Sequence, residues 1–465
     1  MNRPAIKAAR PFFFVAFPRG ETYNPLDPTS HIEEDCMKRN TLYSLIVSAL
    51  LGLVASLIGC ASETEVSNSP PTDLTLVVEK LFVVTSGRIR LIGDATDADG
   101  DSLTYSWKAT NASGSVGNFD PSATGVSVYW IAPNQPGPVT ITMTVSDEID
   151  KSSKTQDVTV CVRFPTPVRE SKTIANEGYK YMVTDLMPVR IIEGITLTIS
   201  PGVTIIIDSE QGGFEAFGNI VAQGSQSQKI RIAGNAVAWD RILMSGESAT
   251  ATLAYTELSG ALTGIEADQG ATLTLTNCDI YSNTDYGVSI SNSSNATIRS
   301  CRIWDNGSGV YILNSTVDIR ESSIRYGGVN GIELSASEGT PQVVLEDCEI
   351  ANHYLDCIVL KEKAFPSIHQ CSLHSSGEVM DGGEYYAVRL EGGYSGTSPI
   401  QAENNFWGLG NTTTEKIEKL IYDAADSPTV AALVSFDPWL DSPPNRLEAI
   451  GGLSAKGRVW ERSSR

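Results

Sequence analysis

Ala271-Thr272-Leu273-Thr274-Leu275-Thr276-Asn277-Cys278-Asp279-Ile280-Tyr281-Ser282-Asn283-Thr284-Asp285-Tyr286-Gly287-Val288-Ser289-Ile290 holds three short apolar runs separated by polar corners. Its pieces return at near-constant spacing. Thr256-Glu257-Leu258, Cys278-Asp279-Ile280, Cys301-Arg302-Ile303, Ser322-Ser323-Ile324, Cys348-Glu349-Ile350 and Cys371-Ser372-Leu373 begin 22, 23, 21, 26 and 23 residues apart. A second strand keeps step at Gly264-Ile265, Gly287-Val288, Gly309-Val310, Gly331-Ile332, Cys357-Ile358 and Ala387-Val388. A third piece precedes each copy, with Leu253, Leu275, Ile298, Ile319, Leu345 or Ile368 as its inward residue. Repeats of this length are units that cannot bury their own apolar face and must stack to make a core. Three strands per unit, each closed by a polar corner, predict a right-handed parallel β-helix.

Stacking at ~4.8 Å per rung lays equivalent side chains over one another. Cys278 and Cys301, and Cys348 and Cys371, are then ladder neighbours. Export would favour disulfides between them. Side chains that point in parallel suit disulfide geometry poorly, so buried thiols are expected. If Cys278 and its equivalents point inward, the next residue and the third point outward. One outward column is Glu257, Asp279, Arg302, Ser323, Glu349 and Ser372; its neighbour is Ser259, Tyr281, Trp304, Arg325, Ala351 and His374. Tyr281 and Trp304, with Arg302 and Arg325, form a candidate ligand-binding patch that offers a sugar an apolar face and hydrogen-bonding groups. The same residues admit a structural reading, with Asp279 paired to Arg302 and the aromatics covering a sheet face. Asp279 and Glu257, on adjacent rungs, are the catalytic candidates, since two carboxylates are the minimum for glycoside hydrolysis.

Upstream, alternating apolar residues in 74–78, 103–107, 126–130, 139–145 and 158–160, separated by Gly, Pro, Asn and Asp turns, predict an antiparallel sandwich. Asp97-Ala98-Asp99-Gly100-Asp101 before Leu103-Thr104-Tyr105-Ser106-Trp107, and Val145-Ser146-Asp147, resemble the PKD-type and cadherin-like immunoglobulin folds of bacterial surface proteins. That resemblance implies a spacer or a binding module. Asp97, Asp99 and Asp101 alternate around a Gly turn, and bunched hard oxygen ligands suit Ca²⁺, the one cofactor the residues suggest. An EF-hand is excluded because Lys108 stands at the twelfth loop position. The alternative is a solvated turn whose carboxylates cap backbone N–H groups.

Residues 194–205, with Asn404-Asn405-Phe406-Trp407-Gly408 and Phe436-Asp437-Pro438-Trp439-Leu440, resemble the first rung and the C-terminal closure of bacterial β-helix proteins. The likeness to the pectin-lyase-like superfamily spans residues 171–441 and implies the fold more than an activity. Between the closing motifs a capping helix is expected, with Thr412 and Glu415 as a capping box and Ile417, Leu420 and Ile421 on one face. Trp407 and Trp439 then plug the open end. The catalytic motifs of the superfamily are missing. Asn283-Thr284-Asp285 matches one element of polygalacturonases, but no Gly-His-Gly follows; His353, His369 and His374 lack flanking glycines. Neither the pectate-lyase Arg base with clustered carboxylates nor the Asp-Pro-His-Asp of alginate epimerases occurs. The tripeptide reads as a turn.

Met37-Lys38-Arg39, the uncharged Leu42–Ile58 stretch and Leu57-Ile58-Gly59-Cys60 resemble a bacterial lipoprotein signal, with Cys60 as the lipidated residue. An uncleaved membrane helix is the alternative, since the apolar run nears spanning length. Residues 1–36 fit a signal peptide badly, so translation from Met37 is expected. Ala61 after the anchor is compatible with outer-membrane sorting in a Gram-negative cell. A net charge of −21 argues against nucleic-acid partners and against wide contact with anionic lipid.

The chain thus divides into an extension (1–36), a signal peptide (37–59), a linker (60–72), an immunoglobulin-like domain (73–163), a β-helix (171–441) and a disordered tail (442–465). The class is all-β: an immunoglobulin-like β-sandwich, then a right-handed parallel β-helix with a C-terminal capping helix. The expected role is a membrane-anchored envelope protein that binds carbohydrate or a surface partner without catalysis. The alternative is a lipid-tethered polysaccharide lyase or glycoside hydrolase.

Overall fold

A computed structural model describes residues 68–337, 342–374, 385–408, 410 and 413–444. Cys60, Thr412 and most of the C-terminal tail lie outside these residues. Among those described, no helix is long and apolar enough to cross a membrane.

From Lys172 onward the chain winds as a right-handed β-helix of three parallel sheets. In one central rung, Thr272–Thr276 lies on the first face, Asp279–Tyr281 on the second and Tyr286–Ile290 on the third. Each pairs in register with the rungs on either side: Leu253, Leu275, Ile298 and Ile319 fall in one line, and Leu258, Ile280, Ile303 and Ile324 in another. All of these side chains are buried, so the repeat read from the sequence builds one continuous core along the coil.

Corners are where this arrangement could fail. Between the first and second faces the chain turns on one residue: Tyr255, Asn277, Ser300, Glu321, Asp347 or Gln370, with φ from 47° to 54°. Left-handed backbone costs a non-glycine residue about 1 kcal/mol or more. The turn keeps the ladder intact, because each of these residues still donates its N–H to the next rung: Asn277 to Arg299 O at 3.0 Å, Ser300 to Arg320 O at 3.2 Å. Inside that corner sits the repeating Cys, Ser or Thr. Cys278 Sγ donates to Leu253 O at 3.5 Å, Cys348 Sγ to Ile319 O at 3.4 Å and Thr256 Oγ1 to Ala222 O at 3.3 Å. A small side chain with one weak donor fills this space, which explains the residue types. The described cysteines are free and buried; burial pushes the thiols of Cys161 and Cys357 up to about 12.

The ladder has a further copy that the spacing did not reveal. Asn405 takes the position after Cys371, its Oδ1 accepting Cys371 N–H at 2.7 Å. Beyond it the chain closes over the coil, with Trp407 edge-on to Phe436 at 6.2 Å. The capping helix differs from expectation. It is a single turn, Thr414–Glu418, with Thr413 as N-cap and only Ile417 buried. Leu420 follows the helix, and Ile421 belongs to a strand, Ile421–Tyr422, that pairs with Val388–Leu390. A closing rung accounts for this better than a lid: the apolar spacing there serves sheet pairing.

At the other end the sandwich is built into the coil. Its strands Thr104–Asn111, Gly137–Ser146 and Lys151–Arg163 form an antiparallel sheet that faces a second sheet across Trp107, Trp130, Ile141 and Met143. Lys151–Arg163 is long enough to serve twice. Val162 and Arg163 pair in parallel with Tyr181 and Met182 of the first rung, so sandwich and coil share one 14-stranded sheet. Cys161, Met182 and Ile206 pack together there with Phe82 and Val84. Lys80 reaches Asp208 at 2.9 Å, and Asn235 Nδ2 donates to Phe82 O at 3.1 Å. A first rung left bare would expose a row of unpaired N–H and C=O groups. The immunoglobulin-like strand covers it, a role beyond the spacer or binding module that the sequence suggests.

Candidate functional site

The second face carries the residues singled out in the sequence. Register places Arg231, Glu257, Asp279, Arg302, Ser323, Glu349 and Ser372 in one column and Ser259, Tyr281, Trp304, Arg325, Ala351 and His374 beside it. All therefore point away from the core. Tyr281 and Trp304 stack, with ring centroids 4.7 Å apart and planes 9° from parallel.

Pointing outward does not make the carboxylates accessible. Lys229, from the preceding rung, bridges both catalytic candidates: its Nζ lies 2.6 Å from Asp279 Oδ2 and 3.1 Å from Glu257 Oε1. Arg302 Nε holds the other Asp279 oxygen at 2.5 Å, and Arg231 Nε the other Glu257 oxygen at 2.8 Å. The Asp279 side chain is 8 % exposed, whereas Arg302 above it is 50 % exposed. Burial pushes the Asp279 carboxyl up, but the Arg302 and Lys229 bonds and charges outweigh it and hold the group below the usual carboxylate value. A general acid must keep its proton near neutral pH, which requires the opposite shift. With a cation on each of their four oxygens, Asp279 and Glu257 are built as an ion-pair ladder and are poorly placed for proton transfer.

Arg325 departs from its expected role in the same way. It pairs with Glu349, which is fully buried; Ser323 Oγ donates to the other Glu349 oxygen at 3.2 Å, and His374 Nε2 lies 3.7 Å away. Burial raises the Glu349 carboxyl, and His374 and Arg325 together bring it below its ordinary value. Of the four ligand-binding candidates, Tyr281, Trp304 and Arg302 share an accessible patch and Arg325 is turned to structure.

Asn283 belongs to a second ladder at the next corner. It is 2 % exposed, its Oδ1 accepts Ala261 N–H at 2.9 Å, and its Nδ2 donates to Asn306 Oδ1 at 2.9 Å. His353 continues the pattern, with Nδ1 accepting Gly327 N–H at 3.0 Å and Nε2 facing Ile324 O at 3.0 Å. Burial holds the His353 imidazole down to about 4, so it is neutral at physiological pH. The likeness of Asn283-Thr284-Asp285 to a polygalacturonase element is therefore a corner motif.

Two family matches fit this geometry. Residues 218–402 match the family described as the right handed beta helix region, and residues 68–161 match the bacterial Ig domain. The chain carries a right-handed β-helix region. No match to a curated protein or to a solved structure was found.

In the immunoglobulin-like unit, ligand oxygens of Asp97, Asp99 and Asp101 lie within 4.8 Å of one another. Asp97 Oδ1 accepts the N–H groups of Asp99 at 3.0 Å and Asp101 at 3.2 Å, as a capped turn would. A cavity of about 460 Å³, bordered by Leu81, Phe82, Pro138, Asp157 and Lys180, lies apart from both acidic turn and aromatic stack.

Lys229 and Arg231 were missed in the sequence because Ile230 precedes Thr256 by 26 residues, outside the commonest spacing. The same interval separates Ser322 from Cys348, so an allowance for longer corners would have found them.

Asp279→Asn is expected to lower stability at pH 7 by about 1.5–3 kcal/mol, the scale of hydrogen bonds to charged groups. Because the folded Asp279 carboxyl sits below its unfolded value, its contribution is present above pH ~4 and is lost as pH falls through the folded value. Urea unfolding of both proteins across acid pH should show the gap closing below pH ~4.

Proposed function

We propose that the β-helix presents a non-catalytic carbohydrate-binding face at the cell envelope, held to a membrane through a lipid on Cys60. β-Helix and Ig-like domains are consistent with a surface or carbohydrate-binding protein. The observation that carries the binding reading is the stacked, partly exposed Tyr281–Trp304 pair beside Arg302, on a face whose carboxylates are all ion-paired. Aromatic rings give a sugar an apolar contact, and the outer nitrogens of a guanidinium already fixed at Nε give it oriented donors. Ion-paired carboxylates held in the ionised form have no proton to give a leaving group, which weighs against the glycoside hydrolase alternative.

Trp304→Ala is expected to abolish retention on a glycan array while the wild type binds. Incubation of the wild type with plant, algal and bacterial polysaccharides should release neither reducing ends nor unsaturated products; equal array binding by the variant, or new ends, would sink the reading.

Anchoring rests on the lipobox-like Leu57-Ile58-Gly59-Cys60 and the polar tether that follows it. Cells fed labelled palmitate should label the wild type and leave Cys60→Ala unlabelled; label on both proteins would reject Cys60 as the anchor.

The acidic turn has two readings, a capped turn and a weak Ca²⁺ site of Asp97, Asp99 and Asp101, the grouped carboxylates supporting the second. Calorimetric titration should give a Kd of about 10⁻⁴–10⁻³ M, as in extracellular modules, lost in Asp99→Asn. No heat from the wild type leaves a capped turn.

A further inference from the structure

The aromatic pair is continued along the coil. On the second face and the corner that follows it, four consecutive rungs each place an aromatic side chain partly or fully open to solvent: Tyr281 and Trp304 on the face, then Tyr326 and Tyr354 on the corner loops. Tyr326 comes directly after Arg325, the register partner of Trp304, and its N–H approaches Ala351 O of the next rung at 3.4 Å. Tyr354 lies on that next corner, its N–H bonded to Gly327 O at 3.0 Å. The two tyrosines are 45 % and 59 % exposed. Gly328, two residues after Tyr326, packs on the preceding corner, where a Cβ would meet Gly307 O at 3.6 Å.

We propose that these four aromatics form one track for an extended, neutral glycan chain, with Tyr281 and Trp304 as the first contact and Tyr326 and Tyr354 as its continuation. The inference rests on the carbohydrate-binding reading above. At ~4.8 Å per rung, three rung steps extend the track over about 14 Å, a length that favours an oligomer over a single sugar. The aromatics follow the surface of the coil, so contact area grows with ligand length. Neutrality follows from charge. Lys229, Arg231, Arg302 and Arg325 are each already paired with Glu257, Asp279 or Glu349, and the whole chain carries −21. A polyanion would meet no unpaired cation on this face and a repulsive long-range field. Tyrosine suits the remaining task, with an apolar ring and a hydroxyl that donates and accepts.

The test titrates the full chain calorimetrically with cello-, manno- and xylo-oligosaccharides from dimer to hexamer, and with polygalacturonate and alginate as polyanions. For at least one neutral series the affinity should rise with length. Tyr326→Ala and Tyr354→Ala, both at exposed positions, should leave the dimer unchanged and weaken the hexamer about fivefold each, the scale of one aromatic contact. Trp304→Ala should abolish binding at every length. If nothing binds the wild type, the carbohydrate reading fails and the track fails with it. If Trp304→Ala abolishes binding while both tyrosine variants match the wild type at every length, the carbohydrate reading stands and the track is overturned. Tighter binding of the polyanions than of any neutral series overturns the assigned ligand class.

Discussion

Every rung of this protein depends on passing its backbone hydrogen bonds to the next rung through sharp corners. Inside a strand that is ordinary parallel pairing. At a corner the direction of the chain changes within one residue, and a longer loop would leave buried N–H and C=O groups without partners. The chain meets this with left-handed residues at positions such as Asn277, Ser300 and Asp347, whose N–H groups remain in the ladder. None of these residues is glycine, so each corner carries a backbone cost. The row of small donors behind the corners, Thr256, Cys278, Cys301 and Ser322, offsets part of it by satisfying carbonyls and filling space. Corner and ladder residues are thus one device, and the core of Leu and Ile depends on it for alignment.

That coupling explains what was readable in the sequence. A slip of one residue would turn a whole strand inside out, so register is strongly specified wherever one side is buried. Counting from Cys278 therefore placed Asp279 beside Arg302 and Tyr281 beside Trp304, as the registered pairs have them. Accessibility was not readable from the same count. Outward direction is a property of one strand, whereas exposure depends on neighbours that fold over it. Lys229 covers Asp279 from two rungs away, and Arg325 with His374 closes around Glu349. Tyr326 and Tyr354 were passed over for a related reason: they lie in corners whose lengths vary, where a fixed spacing assigns no position.

The ion-pair ladder also sets the character of the face. Removing a carboxylate from water is costly unless a cation comes with it, and here the acids are the more buried partners. Guanidinium groups are left outermost, oriented through Nε, while the summed charge of the face stays small. Such a surface can direct hydrogen bonds without drawing polyanions, on a molecule whose overall charge already repels them.

The two ends of the coil solve the same edge problem with different means. At the C-terminal end Asn405 completes the corner ladder and Trp407 with Phe436 covers the last rung. At the N-terminal end the cover is itself a strand. Lys151–Arg163 begins in the antiparallel sandwich and ends paired to the first rung, so hydrogen bonds run unbroken from Thr104–Asn111 to Ser372–His374. A flexible link would let the aromatic face turn freely on the preceding domain. A shared sheet, reinforced by the Cys161–Met182–Ile206 cluster and the Lys80–Asp208 pair, fixes that face with respect to the sandwich. The immunoglobulin-like unit therefore acts as the first cap of the coil, and a truncation removing it would expose the strand edge it now covers.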